Sequence, residues 1–541
     1  VLNNLASYLK ENDMLPAIAF VFSRKMVEVC ASEITVSLLE DDSKIPYTVR
    51  NECEQIVRKL PNFKEYLELP EYETLIRLLE KGVGIHHSGM IPILREIVEI
   101  MISRKNIKLL FATESFAIGL DCPIKTAIFT SMQKFDGRSE RLLLPHEYTQ
   151  MAGRAGRRGI DTIGHVVHCN NLFKLPSKQD YSQILLGKPQ TLVSKFRISF
   201  NLILSLIKNN KIKIEDFTRF VEHSMVFNEL KTEMDRNNRL LFEKKDLLNQ
   251  KKEKALHLKT PPGICNRLNS IEMSIPSSKN KKRKQLEKER TQILSENPNC
   301  KNDAKDLQEL EEIEQVVYNH EEEHFYLENY ISESVFAVCD VLEDQKIIVK
   351  NDREYELTEN GKIACDIAEV QPLILTNLIT HTDWFSEQNV EEIIGILSVF
   401  TDVNVAKDIK EVNPTSTNYN ILQNVEFLNN KYEEFNDLEQ TMRINSGTQY
   451  IDALCFDMPD LVVGWCNCEN ELDCKRYLQN NVADKTISSG DFTKALLKIS
   501  TTVREIAAIA EKMNKIECLQ KLTKIDSKIL KYITTSQSLY I

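Results

Sequence analysis

The chain has 541 residues, 42% of them hydrophobic, with only 16 glycines and 16 prolines, a folded and helix-rich composition too long for one core. Its formal net charge of −11 excludes a protein that coats nucleic acid through bulk charge, though not one that grips it locally. No apolar run approaches the roughly 20 residues of a membrane span. The 13 cysteines lack framework spacing and point to reduced thiols in a cytosolic, nuclear or similarly reducing compartment.

The chain opens Val1-Leu2-Asn3-Asn4, without a methionine or a signal-peptide pattern, and position 1 is read as a cut inside a longer protein. Residues 1–175 carry 22 Lys+Arg against 22 Asp+Glu, so the acid excess lies further on. Within them Ala17 to Phe22, Lys108 to Ala112, Ala127 to Thr130 and Gly164 to His168 are continuous apolar runs separated by helical stretches. That alternation predicts an α/β domain with a parallel sheet covered on both faces. Ligands of such a sheet sit beyond the carboxyl ends of its strands, where the polar candidate residues are expected.

Residues 190–226 read as two helices, with Phe196, Phe200, Leu202, Leu204 and Leu206 as the apolar face. Next, Met234, Leu241, Leu248 and Ala255 recur seven apart amid Lys and Glu, and a second stretch carries Leu310, Ile313, Val317, Leu327 and Ile331. Pro261-Pro262-Gly263 and the basic run Lys279 to Lys284 lie between, read as a loop. Over 228–324 this predicts an antiparallel coiled-coil arm, or equally a solvated helical linker. A β-hairpin is expected from Lys346-Ile347-Ile348-Val349 through Asn351-Asp352 to Tyr355-Glu356-Leu357. Helices plus hairpin make a winged helix over 176–227 and 325–358, interrupted by the arm. Residues 359–541 read as an all-α helical bundle.

The segment richest in chemistry is Gln150-Met151-Ala152-Gly153-Arg154-Ala155-Gly156-Arg157-Arg158-Gly159. On a helix, Gln150, Arg154 and Arg157 share one face, while Gly153 and Gly156 allow another surface to approach closely. Such glycines cost about 1 kcal/mol each in a helix, so a purely structural role explains them poorly. An arginine pair suits the oxygens of a transferring γ-phosphoryl group.

This segment resembles motif VI of superfamily 2 helicases in its superkiller-type and exosome-cofactor DExH RNA helicase form. Phe111 to Pro123 (FATESFAIGLDCP) resembles motif V, Gly84 to Met90 (GIHHSGM) the loop before it, and Phe22-Ser23-Arg24-Lys25 the end of motif IV. Leu357 to Ala364, Gly490-Asp491-Phe492 and Ser538-Leu539-Tyr540-Ile541 resemble the family's C-terminal helical domain. The resemblance implies a RecA-like fold for residues 1–175. It also implies Arg157 as arginine finger, Arg154 as a second γ-phosphate contact, and Gln150 orienting phosphate or water. Gly119 and Asp121, with Gly153, would serve the nucleotide; family members usually carry Asn where Asp121 stands. Ser23, Arg24, His87, Ser88, Gly89, Thr113 and Glu114 would hold RNA phosphates without reading sequence.

No G-x-x-x-x-G-K-[ST] loop and no Asp-Glu-x-His is found. The resemblance places both in a first RecA-like domain before residue 1, which would hold Mg²⁺, so this chain alone is expected not to turn over ATP. Lys494 and Lys498, four apart after Gly490-Asp491-Phe492, fall where the family has an RNA-lining helix; a solvated lysine face accounts for them equally well. His86-His87 suits packing or an RNA-side role better than a metal, and Cys466, Cys468 and Cys474 beside Trp465 lack a fourth zinc ligand. Exosome-cofactor members carry a long insertion with a β-rich tip. The arm here, about a hundred mostly helical residues, departs from that pattern.

The function expected is an ATP-dependent RNA helicase moving 3′→5′ on single-stranded or partly duplex RNA, feeding an RNA-decay complex. The wording of motif VI favours the cytoplasmic superkiller branch over a nuclear one. A superfamily 2 DNA helicase, or a non-enzymatic scaffold if the natural chain lacks the first RecA-like domain, are the alternatives.

Overall fold

The computed structural model describes every residue except 40–43, 118–123, 137–138, 158, 189–193, 210–211, 352–353 and 541. The chain divides into two units, Val1–Leu192 with Asp366–Asp437 and Gln449–Ile541, and Val193–Cys365 with Leu438–Thr448.

In the first unit β1 (Ala17–Phe20), β2 (Val83–His86), β3 (Leu109–Ala112) and β4 (Thr126–Phe129) are buried at every position. β5 (Gln133–Phe135) and β6 (Glu140–Leu142) form an antiparallel hairpin, and β7 (His165–His168) is a half-exposed edge strand. Among the described residues the main sheet runs β2-β3-β1-β4-β7, every pair parallel. Strands buried on both faces must be apolar throughout, and Ala-Ile-Ala-Phe, Leu-Leu-Phe-Ala and Thr-Ala-Ile-Phe answer that need. The expected loop Gly84–Met90 is corrected in its first half. Gly84, Ile85 and His86 extend β2, in register with Leu110, Phe111 and Ala112 of β3.

The rest of this unit is helical. Helices Met458–Cys466, Ser489–Lys512 and Ile525–Ile529 meet at Trp465, which is fully buried. Its indole Nε1 donates to the Ile529 carbonyl at 2.9 Å, and its ring meets Phe492 edge-on at 5.5 Å. A buried Trp N–H needs such an acceptor. The neighbouring Cys466 and Cys474 are buried free thiols, as a packed helix end requires.

In the second unit a small antiparallel sheet, β8 (Ile212–Lys213), β10 (Glu354–Leu357) and β9 (Ile348–Asn351), packs on helices Phe200–Asn209 and Ile214–Glu222. Phe217 and Tyr355 meet in its core, with ring centroids 6.3 Å apart. The polar turn expected at Asn351-Asp352 falls partly on Asp352, which lies outside the described residues. Two long helices, Met225–Ala255 and Cys300–Asp344, lie side by side in opposite directions. Lys245 meets Glu321 at 2.5 Å, Lys252 meets Glu314 at 3.2 Å, and Lys251 meets Glu309. Asn237 is buried in their seam. Its Nδ2 donates to the His320 carbonyl at 2.9 Å, while its Oδ1 lies 2.7 Å from His320 Nδ1. A buried polar pair of this kind tolerates one register only.

Two further helices, Pro262–Ser274 and Asn280–Glu296, stand where a loop was expected. Pro262 opens the first of them, a position where a missing N–H costs nothing. Cys265, Leu268, Cys300, Ala304 and Leu307 form a small core beneath them. The basic run from Lys279 is therefore helical from Asn280 onward, and that helix buries no residue.

Candidate functional site

Three strands end side by side at the carboxyl edge of the main sheet, and their following residues gather there. After β1, Ser23 caps helix Arg24–Ser32, its hydroxyl accepting from Met26 N at 3.5 Å. After β2 comes the turn His87-Ser88-Gly89. His87 is buried; its Nδ1 accepts from Gly89 N at 3.2 Å, and its Nε2 lies 3.2 Å from Glu28. After β3, Thr113 donates its N–H to the His86 carbonyl at 3.2 Å, and its hydroxyl lies 3.0 Å from that of Ser115. Glu114 opens a short 3₁₀ turn, Glu114–Ala117, with its carboxylate 3.5 Å from Lys134.

The start of helix Ser489–Lys512 closes this group. Arg24 Nη1 meets Asp491 Oδ2 at 2.5 Å, Lys494 Nζ lies 3.4 Å from Asp491 Oδ1, and Lys494 also donates to the Ser88 carbonyl. Gly490 permits this approach, because a Cβ there would overlap the carbonyl oxygens of Met90 and Gly89. Burial pushes the Lys494 ammonium below its ordinary range, against the pull of Asp491. Ser23, Arg24, His87, Ser88, Gly89, Thr113, Glu114 and Lys494 thus occupy one edge. Lys498 stands apart, donating to the Glu369 carbonyl at 2.7 Å and to its carboxylate. Neither lysine belongs to a merely solvated face.

The arginine segment lies elsewhere. Helix Pro145–Ala152 runs back along β4, Tyr148 stacking on Phe129 at 4.9 Å, and it stops at Gly153. Gln150 is exposed on its last turn. The expected helix through Arg154 and Arg157 is corrected: both follow the helix. Gly153 is its C-cap in ordinary helical geometry, where a Cβ would sit 2.8 Å from the Thr149 carbonyl oxygen. Gly156 then takes φ +91, in the left-handed region that favours glycine, and its N–H donates to the Ile124 carbonyl at 3.0 Å. Ile124 precedes β4 and Gly164 precedes β7, so this turn sits at the amino ends of the strands, opposite the carboxyl edge where all candidates were expected.

Arg154 donates its Nε to the Ala117 carbonyl at 2.7 Å. Arg157 forms a two-pronged pair with Asp161, Nε to Oδ2 at 2.7 Å and Nη2 to Oδ1 at 2.6 Å, while its N–H donates to Oδ2 at 2.9 Å. These hydrogen bonds hold the Asp161 carboxyl well below the usual range and push the Arg157 guanidinium up. Gly119 and Asp121 lie outside the described residues.

Residues 57–159 match the helicase conserved C-terminal domain, and residues 354–536 match the DSHCT (NUC185) domain. Over 216 residues, 40% of this chain, it is 38% identical to an Arabidopsis thaliana protein described as DExH-box ATP-dependent RNA helicase DExH11. It is 39% identical over 217 residues to the human superkiller complex protein 2, and 36% over 216 to the human exosome RNA helicase MTR4. The chain thus matches a C-terminal helicase domain and a DSHCT domain, and is similar over part of its length to superkiller and exosome DExH RNA helicases. The alignments cover 16%, 17% and 20% of those three relatives.

The candidate residues have partners that their motifs did not announce: Asp161 for Arg157, Asp491 for Arg24, and Glu28 for His87. Asp161 stands four residues after Arg157 and could have been paired with it by spacing. The others depend on contacts distant in sequence. The helix leading to the arginine turn is also anchored electrostatically. Burial pushes the Glu147 carboxyl up, but hydrogen bonds from Arg141, the Leu144 N–H and Lys134 outweigh it and hold it at about 2. A carboxyl held below its ordinary value of 4.5 contributes stability fully above that pH and loses it as pH falls toward 2. Glu147→Gln is expected to flatten the acid loss of thermal stability over that window. An acid profile identical to that of the unsubstituted chain would contradict the assignment.

Proposed function

We propose that this chain supplies the second RecA-like lobe, winged helix and helical bundle of an ATP-dependent RNA helicase, with the two long helices forming a coiled-coil arm. In this reading the phosphate-cradling loop and the Mg²⁺ ligands belong to a partner lobe, and the chain alone does not turn over ATP. The arginine turn fits the terminal phosphate, since Arg157 already grips a two-oxygen anion in the fork geometry that phosphate shares. ATP, when bound, supplies the phosphoryl group whose transfer drives the cycle. Arg157 and Arg154 would neutralise the charge that develops there, with Gln150 orienting phosphate or water and Gly153 lining the approach. Gly119 and Asp121 would meet the ribose. Opening and closing of the lobes would step RNA 3′→5′ past Lys494 and Lys498 in a cytoplasmic RNA-decay setting.

One observation carries the RNA reading: Ser23, Arg24, Ser88, Gly89 and Lys494, spread over most of the chain, converge on one sheet edge. Hydroxyls, backbone N–H groups and cations at a strand edge suit a sugar-phosphate backbone read without regard to sequence. Fluorescence anisotropy with a labelled single-stranded RNA tests it. Arg24→Ala and Lys494→Ala should each lower the slope of log affinity against log salt by roughly 0.7, one phosphate contact apiece. Absence of RNA binding, tighter binding to DNA of the same sequence, or unchanged slopes would contradict the reading.

A further inference from the structure

The segment Ser538 to Tyr540 lies along helix Pro92–Ser103. The Ser538 hydroxyl is 3.2 Å from both Glu96 carboxylate oxygens, and Leu539 N donates to Glu96 Oε2 at 2.6 Å while its side chain is buried. Tyr540 Oη donates to Glu99 Oε2 at 2.6 Å. The other oxygen of Glu99 meets His86 Nε2 at 2.9 Å, with Arg95 Nε at 3.9 Å.

His86 is the last residue of β2. It is 7% exposed, and its ring meets Phe116 edge-on at 4.8 Å. Its Nδ1 is buried without a hydrogen-bond partner among the described residues, so Glu99 alone fixes the ring through a polar contact. The next residues are His87, Ser88 and Gly89, and the His86 carbonyl holds Thr113 at 3.2 Å. A chain of contacts therefore joins Tyr540 to the turn whose Ser88 carbonyl receives Lys494.

We propose that Ser538 to Tyr540 is a clamp on the 87–89 turn, with Tyr540 and Glu99 as positioning residues that hold His86, and through it the turn, in place for an RNA phosphate. This rests on the reading of that edge as the RNA contact. Neither residue touches RNA in this scheme. Losing the Tyr540 hydrogen bond lets the Glu99 carboxylate swing toward solvent, and the buried imidazole loses the group that sets its orientation.

The test compares the 541-residue chain with Tyr540→Phe, Glu99→Gln and Glu99→Ala, by RNA anisotropy across a salt series and by thermal unfolding. Tyr540→Phe keeps the ring and removes only the hydroxyl. It is expected to weaken RNA binding about three- to tenfold, the size of one ordinary hydrogen bond's net contribution, since the lost bond acts on RNA only through His86. The salt slope should fall by up to about 0.7, with the thermal midpoint within ~2 °C. Glu99→Gln, which keeps an acceptor oxygen and the volume, should retain more affinity than Glu99→Ala. If the unsubstituted chain binds RNA and Tyr540→Phe matches it in affinity and slope, the clamp is overturned while the RNA reading stands. Weaker binding at an unchanged slope with a lowered midpoint also overturns it, since that is simply loss of folded protein. An unsubstituted chain that fails to bind RNA overturns the RNA reading and the clamp together.

Discussion

Arg157→Ala, made in a longer protein that joins this chain to a phosphate-cradling lobe, is expected to lower the ATPase rate by about three to five orders of magnitude. The size follows from what the guanidinium does. In the present state Arg157 spends two N–H groups and its backbone N–H on Asp161, whose side chain is only 7% exposed. In the proposed reading a terminal phosphate offers the same two-oxygen geometry with more charge, so binding would amount to an exchange of anions at one fork. Alanine removes the fork and leaves Asp161 as an unopposed carboxylate facing the incoming phosphate. Arg157→Lys keeps the charge but not the paired donors, and should recover only part of the rate. RNA affinity should be retained, because the turn lies at the amino ends of the strands and the RNA candidates lie at the carboxyl edge. An RNA affinity that fell in step with the ATPase rate would mean a misfolded lobe.

The second large effect is expected from Gly490→Ala, the addition of one methyl group. The added Cβ meets the carbonyl oxygens of Met90 and Gly89, and backbone cannot swing aside as a side chain can. Helix Ser489–Lys512 has to shift, at a cost of about 1–3 kcal/mol for overpacking. That shift pulls Asp491 away from Arg24 and Lys494 away from the Ser88 carbonyl. RNA affinity should therefore fall by roughly tenfold or more, since each 1.4 kcal/mol is a decade. Thermal unfolding and RNA anisotropy on the same preparation check both halves. A variant with unchanged midpoint and unchanged affinity would show that the helix start does not organise this edge.

Much of the fold was legible in the sequence because it is written in contiguous apolar runs. Four of the five main strands fell within a residue or two of their expected places. β2 escaped because Val83-Gly84-Ile85-His86 is short, carries a glycine and ends in a histidine, and only its neighbour β3 makes it a strand. The arginine segment misled through its spacing. Counting i, i+4, i+7 across two glycines assumes the helix continues, whereas Gly153 ends it and the positive φ of Gly156 turns the chain. The basic run from Lys279 read as loop because the first turns of the Asn280–Glu296 helix carry no apolar residue before Leu286, and the helix buries no residue of its own. Candidate cations were visible as residue types, but their carboxylate partners were not. Asp491 is paired to Arg24 across 467 positions, a distance no local pattern can span.

The most direct measurement is a structure of the longer protein with a non-hydrolysable ATP analogue and single-stranded RNA. The expected result is Arg157 released from Asp161 and forked onto the terminal phosphate, with RNA phosphates within hydrogen-bond reach of Arg24, Ser88 and Lys494. Arg157 still paired to Asp161 beside a bound triphosphate, or RNA running along a different face of the sheet, would contradict it.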